Sequence, residues 1–415
     1  RSVRADAAAA LGDVFGRNIK LFSLVTNTLA KDKEIVDTWR HYPRPGSYRN
    51  RSNMVEDEVV DALVSAVVES FPRLSHRYYA MKAKWLGLPK LQHWDRNAPL
   101  PEEDDRLVPW PEAVERVMGS YAAFSNELAA VAKPFFDRPW IDAALRPGKA
   151  SGAFAHPTVP SAHPYLLLNY HGKPRDVMTL AHELGHGVHQ VLAGETQGYL
   201  RSGTPLTLAE TASVFGEMMT FRALLDAETD PKRRRVMLAG KVEDMLNTVV
   251  RQIAFYRFES LLHDERRRGE LLPERIGEIW LQVQTESLGP AFHFTPEYSV
   301  YWAYVPHFVH SPFYVYAYAF GDCLVNSLYG VYAKAESGFV ERYFALLSAG
   351  GSKPYGYIGL GEIAVFVFFV GPTVFLLTLI PSTFSTYISE YLFMTGQSAA
   401  WGPDSAEFSN TWTVY

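Results

Sequence analysis

Apolar residues recur at intervals of three and four along much of the chain, which is the spacing of one face of an α-helix. The segment Val59–Phe71 has this period, and residues 1–95 as a whole favour helices. Another helix is predicted over about 111–136, and helical periodicity returns over about 207–263. The pattern therefore predicts a mainly α fold.

One short stretch departs from the helical pattern. The apolar run HPYLLLNYHG, residues 163–172, is bounded by proline and glycine and predicts a β-strand. Asp176 can cap the helix that follows, over about 177–192. Its predicted buried stripe consists of Leu180, Leu184, Val188 and Val191. We therefore expect a small β element beside this helix.

The organisation along the chain suggests three parts. A proline- and acid-rich stretch, residues 95–111, is the best candidate for an internal boundary. It separates a helical N-terminal part, residues 1–95, from a larger region, residues 96–353. Residues 354–415 form a third part with a different, apolar composition.

The third part contains a long stretch without charge. Residues 363–389 carry no charged side chain, and the most apolar portion, residues 363–380, is 18 residues long. This length is at the lower limit for crossing a hydrocarbon core of about 30 Å. The stretch predicts either contact with a membrane or a buried hairpin that turns at Gly371–Pro372. No lysine or arginine follows Lys353, so the positive-inside rule would place the preceding residues in the cytoplasm.

Composition narrows the class of protein. The chain has 415 residues and a net charge of −5, which argues against a nucleic-acid-binding protein. The single cysteine, Cys323, cannot form an internal disulfide, which fits a reducing compartment such as the cytoplasm. The chain begins at Arg1 without the apolar core of a signal peptide, and we expect a fragment whose natural start lies upstream.

The stretch TLAHELGHGVHQ, residues 179–190, carries the clearest chemistry. His182 and His186 are four residues apart and share one helix face, so both imidazoles can bind one tetrahedral zinc ion. Glu183 is offset by about 100° around the helix and can serve as a general base beside the metal. Gly185 and Gly187 flank the second histidine, which indicates a close approach of another backbone or ring.

A catalytic zinc site needs a third protein ligand. The helix predicted after residue 207 offers Glu210, and its small flank, Ala209, Ala212, Ser213 and Gly216, would let it pack closely against the first helix. Glu217 lies seven residues further on, nearly at the same angle, and could hydrogen-bond a ligand histidine. A surface carboxylate or a structural ion pair is an equal alternative for Glu217. For His189 we expect packing or contact with a ligand rather than metal binding.

Together with other segments, LAHELGHGVH and LAETASVFGEMM resemble the oligoendopeptidase F branch of the thimet-oligopeptidase family of zinc peptidases. The resemblance runs from about residue 15 to 353 and includes RYYAMKAKWLGLPKLQHWD, PYLLLNYHG and WAYVPHFVHSPFYVYAYAFG. It implies a mostly helical zincin-type fold around a deep channel, with one zinc ion and zinc-dependent cleavage of short peptides. By this resemblance His182, His186 and Glu210 are the zinc ligands, and Glu183 is the general base.

The same resemblance implies further roles. His307, Tyr314 and Tyr316 would donate hydrogen bonds to the tetrahedral oxyanion, with core packing as the alternative for each aromatic residue, above all Tyr316 and Tyr318. The strand near residues 166–170 would pair with extended substrate backbone.

Two departures from the family pattern bear on function. The helical part before the zinc motif is shorter than the family implies, and the segment after residue 353 weakly resembles part of a membrane prenyltransferase. The leading hypothesis is a zinc oligopeptidase acting on short peptides. The alternatives are an inactive truncated or hybrid product with a membrane-associating tail, and a zinc hydrolase that acts on non-peptide amides.

Overall fold

The computed structural model describes residues 1–99, 106–334 and 337–351, and within these ranges the chain is mainly helical. The predicted third part, residues 354–415, lies outside the described residues. The predicted membrane contact at 363–380 belongs to this part. No helix in the described ranges has both the length and the apolar composition needed to cross a membrane.

The helices before the predicted strand form the first half of the fold. The predicted helix at 59–71 is confirmed as α3. The single helix predicted over 111–136 is wrong, because the chain is extended at Ser125, whose hydroxyl oxygen accepts a hydrogen bond from the Leu128 amide at 3.3 Å. The helices are α1 (Ser2–Trp39), α2 (Ser47–Ser52), α3 (Asp57–Ser70), α4 (Arg77–Trp85), α5 (Trp110–Phe124), α6 (Asn126–Ala132) and α7 (Pro134–Asp137).

The second half begins with the helix of the HELGH motif. The helices are α8 (Pro174–Gln197), α9 (Leu206–Ala227), α10 (Pro231–Met245), α11 (Arg251–Arg266), α12 (Pro273–Leu288), α13 (His307–His310), α14 (Tyr316–Ala333) and α15 (Phe339–Ser348). The helical region predicted over 207–263 consists of three helices, α9, α10 and α11. Helix α10 begins after Asp230, whose carboxylate accepts a hydrogen bond from the Lys232 amide at 2.8 Å. Helix α9 packs between α8 and α14.

The predicted β element is a three-stranded sheet with the order β1-β3-β2 beside α8. Strand β1 is Ile141–Asp142, β2 is Phe154–His156 and β3 is Tyr165–Leu167. Strand β3 pairs with β1 in parallel and with β2 in antiparallel orientation. The predicted pairing of this strand with substrate backbone is therefore wrong, because β3 is the central strand and both of its edges are occupied. The unpaired edges of this sheet belong to β1 and β2.

The segments on both sides of the predicted boundary at 95–111 pack into one hydrophobic core. The rings of Tyr79 and Phe292 meet edge to face with centroids 4.9 Å apart. The Leu91 amide donates to the Ala291 carbonyl at 2.8 Å. Residues 1–95 thus contribute to the same core as the helices that carry the HELGH motif.

Candidate active site

Helix α8 starts where its sequence provides a cap. Asp176 lies in its first turn, and one carboxylate oxygen accepts hydrogen bonds from the backbone amides of Lys173 at 3.0 Å and His171 at 2.8 Å. These contacts satisfy donors at the junction between the loop and the helix. The junction is two turns before His182, so it fixes the direction in which the motif enters the core.

The glycines of α8 are explained by close neighbours. A Cβ atom on Gly185 would lie 2.5 Å from the Ala212 carbonyl oxygen of α9, and one on Gly187 would lie 2.7 Å from the ring of Phe135. Real side chains do not tolerate such distances, so only glycine permits this packing. The predicted close approach of α9 to α8 is confirmed at Ala212 and Ser213.

Gly216 packs against Tyr121 of α5, whereas the sequence suggests packing against α8. It leaves room for the ring of Tyr121 of α5, whose hydroxyl donates to the Ala181 carbonyl of α8 at 2.9 Å. On the other side of α9, a Cβ atom on Gly321 of α14 would lie 2.6 Å from the Glu210 Cβ atom. Small residues therefore bring three helices close to α9, and the position of Glu210 follows from this packing.

The three predicted metal ligands come together. His182 Nε2 lies 3.3 Å from Glu210 Oε2, and His186 Nε2 lies 3.4 Å from the same oxygen. Donor atoms held about 2.0–2.1 Å from a tetrahedral zinc ion are about 3.3–3.4 Å apart, so this donor set fits zinc. Within the described ranges this is also the cluster of His, Cys, Asp and Glu donors whose spacing suits a metal ion.

Glu210 is held as a carboxylate. Burial would raise its pKa, but the neighbouring histidines His182 and His186 and the hydroxyl of Ser213 lower it to about 2. Ser213 Oγ donates to Glu210 Oε2 at 2.7 Å, which orients the carboxylate within its own helix. An anionic oxygen facing two imidazoles is the arrangement that a divalent cation stabilises.

Glu217 lies where the sequence suggests a residue that orients a ligand. Its Oε2 atom is 3.2 Å from Nδ1 of His182, and its Oε1 atom accepts a hydrogen bond from Lys241 Nζ at 2.8 Å. The second ring nitrogen of His182 is thus fixed, which leaves Nε2 for a metal. Lys241 of α10 has no counterpart in a sequence motif, because its place depends on how α10 packs against α9.

Glu183 is buried beside the ligands. Only 6% of its surface is exposed, and its Oε2 atom has no hydrogen-bond partner among the described residues. Burial raises the pKa of Glu183 to about 7. A carboxyl group with a raised pKa and a free oxygen next to a metal-ligand set is suited to accept and return a proton.

His189 lies outside the cluster of three ligands. It is buried, and burial lowers its pKa to about 4, so the ring is neutral. Its Nε2 atom is 3.4 Å from the hydroxyl of Thr204, at the long end of the hydrogen-bond range. His189 is therefore a neutral, buried side chain next to Thr204.

In the aromatic segment, the rings of His307, Tyr314 and Tyr318 contact one another. His307 stacks on Tyr314 with centroids 5.5 Å apart, and its Nε2 atom is 3.3 Å from the Tyr318 hydroxyl. Burial raises the pKa of both Tyr314 and Tyr318, so both hydroxyls keep their protons and can donate. Burial lowers the pKa of His307.

Tyr316 occupies a different place from the one that its predicted role requires. It is fully buried, its ring packs edge to face on Tyr256, and its hydroxyl accepts a hydrogen bond from Asn53 Nδ2 at 2.9 Å. It lies at the start of α14, two residues and about 200° around the axis from Tyr318. The two tyrosines therefore face opposite sides: Tyr316 lies in the core, away from the position that an oxyanion donor needs, and Tyr318 lines the cavity.

The turn before α14 has an unusual backbone conformation. Phe313 has a φ of 59°, in the left-handed region, although it is a bulky residue. Such a conformation costs roughly 1–3 kcal/mol and persists only where the surroundings hold it. Tyr314 follows directly, so the direction of its side chain depends on this turn.

These elements open onto one cavity of about 1300 Å³. Its wall includes the ligands His182 and Glu210, the carboxyl group of Glu183 and the ring of Tyr318. Charged residues that no motif indicated complete it: Arg175, Lys241, Glu243, Asp244, Arg251 and Asp322. They come from four helices and become neighbours only through tertiary packing. A cavity of this size with a few convergent polar groups is typical of a small-ligand or peptide site.

Comparison with known proteins gives consistent matches. Residues 22–356 match the family model for peptidase family M3. The chain is 28% identical over 354 residues to oligopeptidase PepF of Bacillus subtilis, covering 85% of this chain and 52% of the relative. It is 30% identical over 336 residues to an oligoendopeptidase F homolog of Borreliella burgdorferi, covering 80% and 56%. The chain thus spans about half the length of these curated relatives.

Solved structures share the fold. The crystal structure of oligoendopeptidase-F from Enterococcus faecium superimposes with a TM-score of 0.70 at 22% identity, covering 96% of this chain and 64% of that one. PZ peptidase A with an inhibitor superimposes with a TM-score of 0.74 at 17% identity, covering 94% and 70%. At these identities the likeness establishes the helical architecture.

Proposed function

The chain belongs to peptidase family M3, and from that premise we propose that it is a zinc-dependent endopeptidase that hydrolyses short peptides. The observation that carries the proposal is the donor spacing, with Glu210 Oε2 at 3.3 and 3.4 Å from the two histidine nitrogens. The relatives named as oligopeptidases support the same class of substrate.

His182, His186 and Glu210 would hold the zinc ion. A zinc ion at this site would polarise the scissile carbonyl and lower the pKa of a water molecule. Glu217 keeps His182 in the orientation that presents Nε2, and Lys241 balances the charge of Glu217. This leaves one open position for the reacting groups, as a catalytic site requires.

Glu183 would move the protons of the reaction. Its Oε2 atom, which has no hydrogen-bond partner in the described part of the chain, accepts a proton from the attacking water, and the same carboxyl group returns that proton to the leaving amine. Its burial keeps bulk water from competing for this oxygen.

His307, Tyr314 and Tyr318 would stabilise the oxyanion. The tyrosine hydroxyls keep their protons because burial raises their pKa, so each can donate a hydrogen bond to the oxygen on which charge develops. A donor of this kind is typically worth about 10²–10³ in rate. The side chain of His307 supports Tyr318 through the contact at 3.3 Å.

The cavity supports a peptide rather than a small amide as the substrate. Its volume of about 1300 Å³ accommodates several residues, and its wall carries both cationic and anionic side chains that can bind peptide termini and polar groups. We propose that the reaction takes place in the cytoplasm, in keeping with the single cysteine.

The test is a digest of a mixed peptide library by the purified chain, read by mass spectrometry, together with the zinc content after dialysis. We expect near one zinc per chain and internal cleavage of short peptides, inhibited by chelators and restored by zinc. The variant Glu183→Gln serves as the control for contaminating peptidases. Absence of bound zinc would instead support the hypothesis of an inactive truncated or hybrid protein. Cleavage of non-peptide amides alone would support the hypothesis of a zinc hydrolase that acts on non-peptide amides.

A further inference from the structure

Two candidate oxyanion donors depend on the turn that precedes α14: Tyr314 lies in the turn, and Tyr318 lies in the first part of α14. Phe313 has the left-handed φ of 59° and lies directly before Tyr314. After the turn, the Ala317 amide donates to the Tyr314 carbonyl at 3.0 Å, so the conformation of Phe313 is passed on to the start of α14. Whatever holds Phe313 therefore sets the directions of Tyr314 and Tyr318.

Three residues on one face of α11 contact Phe313. Tyr256, Glu259 and His263 are spaced by three and four residues and share this face. The Phe313 ring lies 5.8 Å from the ring of Tyr256 and 5.0 Å from that of His263, measured between centroids. Between them, Glu259 Oε1 accepts a hydrogen bond from the Phe313 backbone N–H at 2.8 Å.

Glu259 is an unusual residue for this place. Only 2% of its surface is exposed, and among the described residues no lysine or arginine forms an ion pair with it, although the charges of Arg49 and Lys33 act on it from a greater distance. Its Oε2 atom also has no hydrogen-bond partner there. A buried carboxyl group that is not directly ion-paired is costly in a core position. The contact that the carboxyl group makes is the one to the Phe313 amide.

Residues of the N-terminal part form hydrogen bonds with the chain on both sides of Phe313. Arg49 Nε donates to the Pro312 carbonyl at 3.2 Å, and Asn53 Nδ2 donates to the Tyr316 hydroxyl at 2.9 Å. These contacts fix the residues before and after the turn. At the reversal itself, the Tyr314 amide donates to the Ser311 carbonyl at 3.1 Å, Lys33 Nζ lies 5.7 Å from the centroid of the Phe313 ring, and Glu259 accepts from the Phe313 amide.

We propose that Glu259 is a positioning residue for peptide hydrolysis: by accepting a hydrogen bond from the Phe313 backbone N–H it holds the turn that places Tyr314 beside Tyr318 and Tyr318 at the cavity wall. The kinetic consequence of this inference rests on the proposed function. The structural consequence, an ordered turn at 311–316, does not.

The kinetic test compares Glu259→Met with Glu259→Gln. Methionine has a similar length but offers no comparable acceptor, whereas glutamine keeps an acceptor oxygen. We expect Glu259→Met to lower kcat about 10–100-fold with little change in KM or zinc content, because a small displacement of an oxyanion donor acts in the transition state. Glu259→Gln should stay within about twofold of the wild type, and Ser260→Ala on the same helix serves as the matched control.

A double variant separates positioning from general destabilisation. If Glu259 acts through Tyr318, adding Tyr318→Phe to Glu259→Met should cause much less loss than the product of the two single effects. Fully multiplicative losses, or a Glu259→Met enzyme with wild-type kcat, would overturn the proposal.

Hydrogen exchange read by mass spectrometry provides the test that does not depend on activity. Peptides covering residues 311–316 should exchange faster in Glu259→Met than in the wild type, while Glu259→Gln and Ser260→Ala keep the wild-type protection. If the wild type lacks peptidase activity, the proposed function fails and this measurement still decides the role of Glu259. If Glu259→Met does not fold, Glu259→Asp replaces it, because the shorter side chain withdraws the acceptor. Unchanged protection in the variant that folds would refute the inference.

Discussion

Helices α8 and α9 and residues 307–318 both carry proposed site residues, and each region contributes to the cavity wall, the second through Tyr318. The two regions hold these side chains in different ways. On α8 and α9 the ligands project from regular helices that touch at Gly185, so one helical period fixes their relative angles. In the aromatic segment the proposed oxyanion donors lie on either side of a left-handed turn at Phe313. The first arrangement can be predicted from spacing along the chain, whereas the second depends on contacts with distant helices.

The largest expected effect tests the helical half of this comparison. Glu183→Gln removes the proton acceptor but no ligand, so we expect activity to fall by about 10²–10⁴ with the zinc content unchanged. Peptidase assays and metal analysis on the same sample check this. Activity above about a hundredth of the wild type would assign the base to another residue.

The aromatic half is tested by a pair of tyrosines two residues apart. Tyr318→Phe removes a hydroxyl that faces the cavity, and we expect kcat to fall by about 10²–10³ with little change in KM. Tyr316→Phe is the matched control, since its hydroxyl contacts Asn53 in the core, and it should lower stability more than kcat. The reverse outcome would restore the assignment of Tyr316.

A third experiment addresses how firmly the helical ligands are oriented. Glu217→Ala removes the partner of His182 Nδ1, and we expect zinc affinity to fall by about 10–100-fold. Competition with a chelator measures this, with Glu195→Ala, an exposed glutamate on α8, as the control. Equal affinities in the two variants would mean that the contact at 3.2 Å does not orient the ligand.

The smallest effect concerns the close approach of α8 and α9. Gly185→Ala places a Cβ atom against the Ala212 carbonyl, and we expect it to destabilise the fold by about 1–3 kcal/mol. Gly119→Ala, in α5 with no atom within 4 Å of the added Cβ, should instead stabilise by about 0.5–1 kcal/mol. Chemical denaturation compares them, and the same sign for both would contradict the packing argument.

The sequence was sufficient to predict the relative positions of site residues that lie on one helix. His182, Glu183 and His186 follow from helical spacing, and Glu217 follows from a distance of seven residues to Glu210. The choice between Tyr316 and Tyr318 could not be made, because it requires the first residue of α14, which the turn at Phe313 determines. The central position of β3 was also inaccessible, since two strands from elsewhere in the chain, β1 and β2, occupy its edges.

Residues that join the site through tertiary packing carry no local signal. Lys241 reaches Glu217 from α10, and Glu259 reaches Phe313 from α11. Each lies in a segment whose periodicity indicates only a helix. Their contacts depend on crossing angles between helices far apart in the chain, and no motif records those angles.

The buried carboxyl group of Glu259 also makes folding a proton-binding reaction. Burial raises its pKa from 4.5 to about 8, and the amide of Phe313 and the charges of Arg49 and Lys33 only partly oppose this. The facing ring of His263 stays neutral, because burial lowers its pKa to about 3. The folded chain therefore retains a proton that the unfolded chain releases.

The free energy of unfolding contributed by this group is greatest below pH 4.5 and decreases as the pH rises towards 8, by at most about 1.4 kcal/mol per unit. Glu259→Gln lacks the titrating group, so its stability relative to the wild type should increase over the same interval. Unfolding midpoints at pH 5 and pH 8 measure this linkage, and a constant difference between the two proteins would show that Glu259 does not take up the proton.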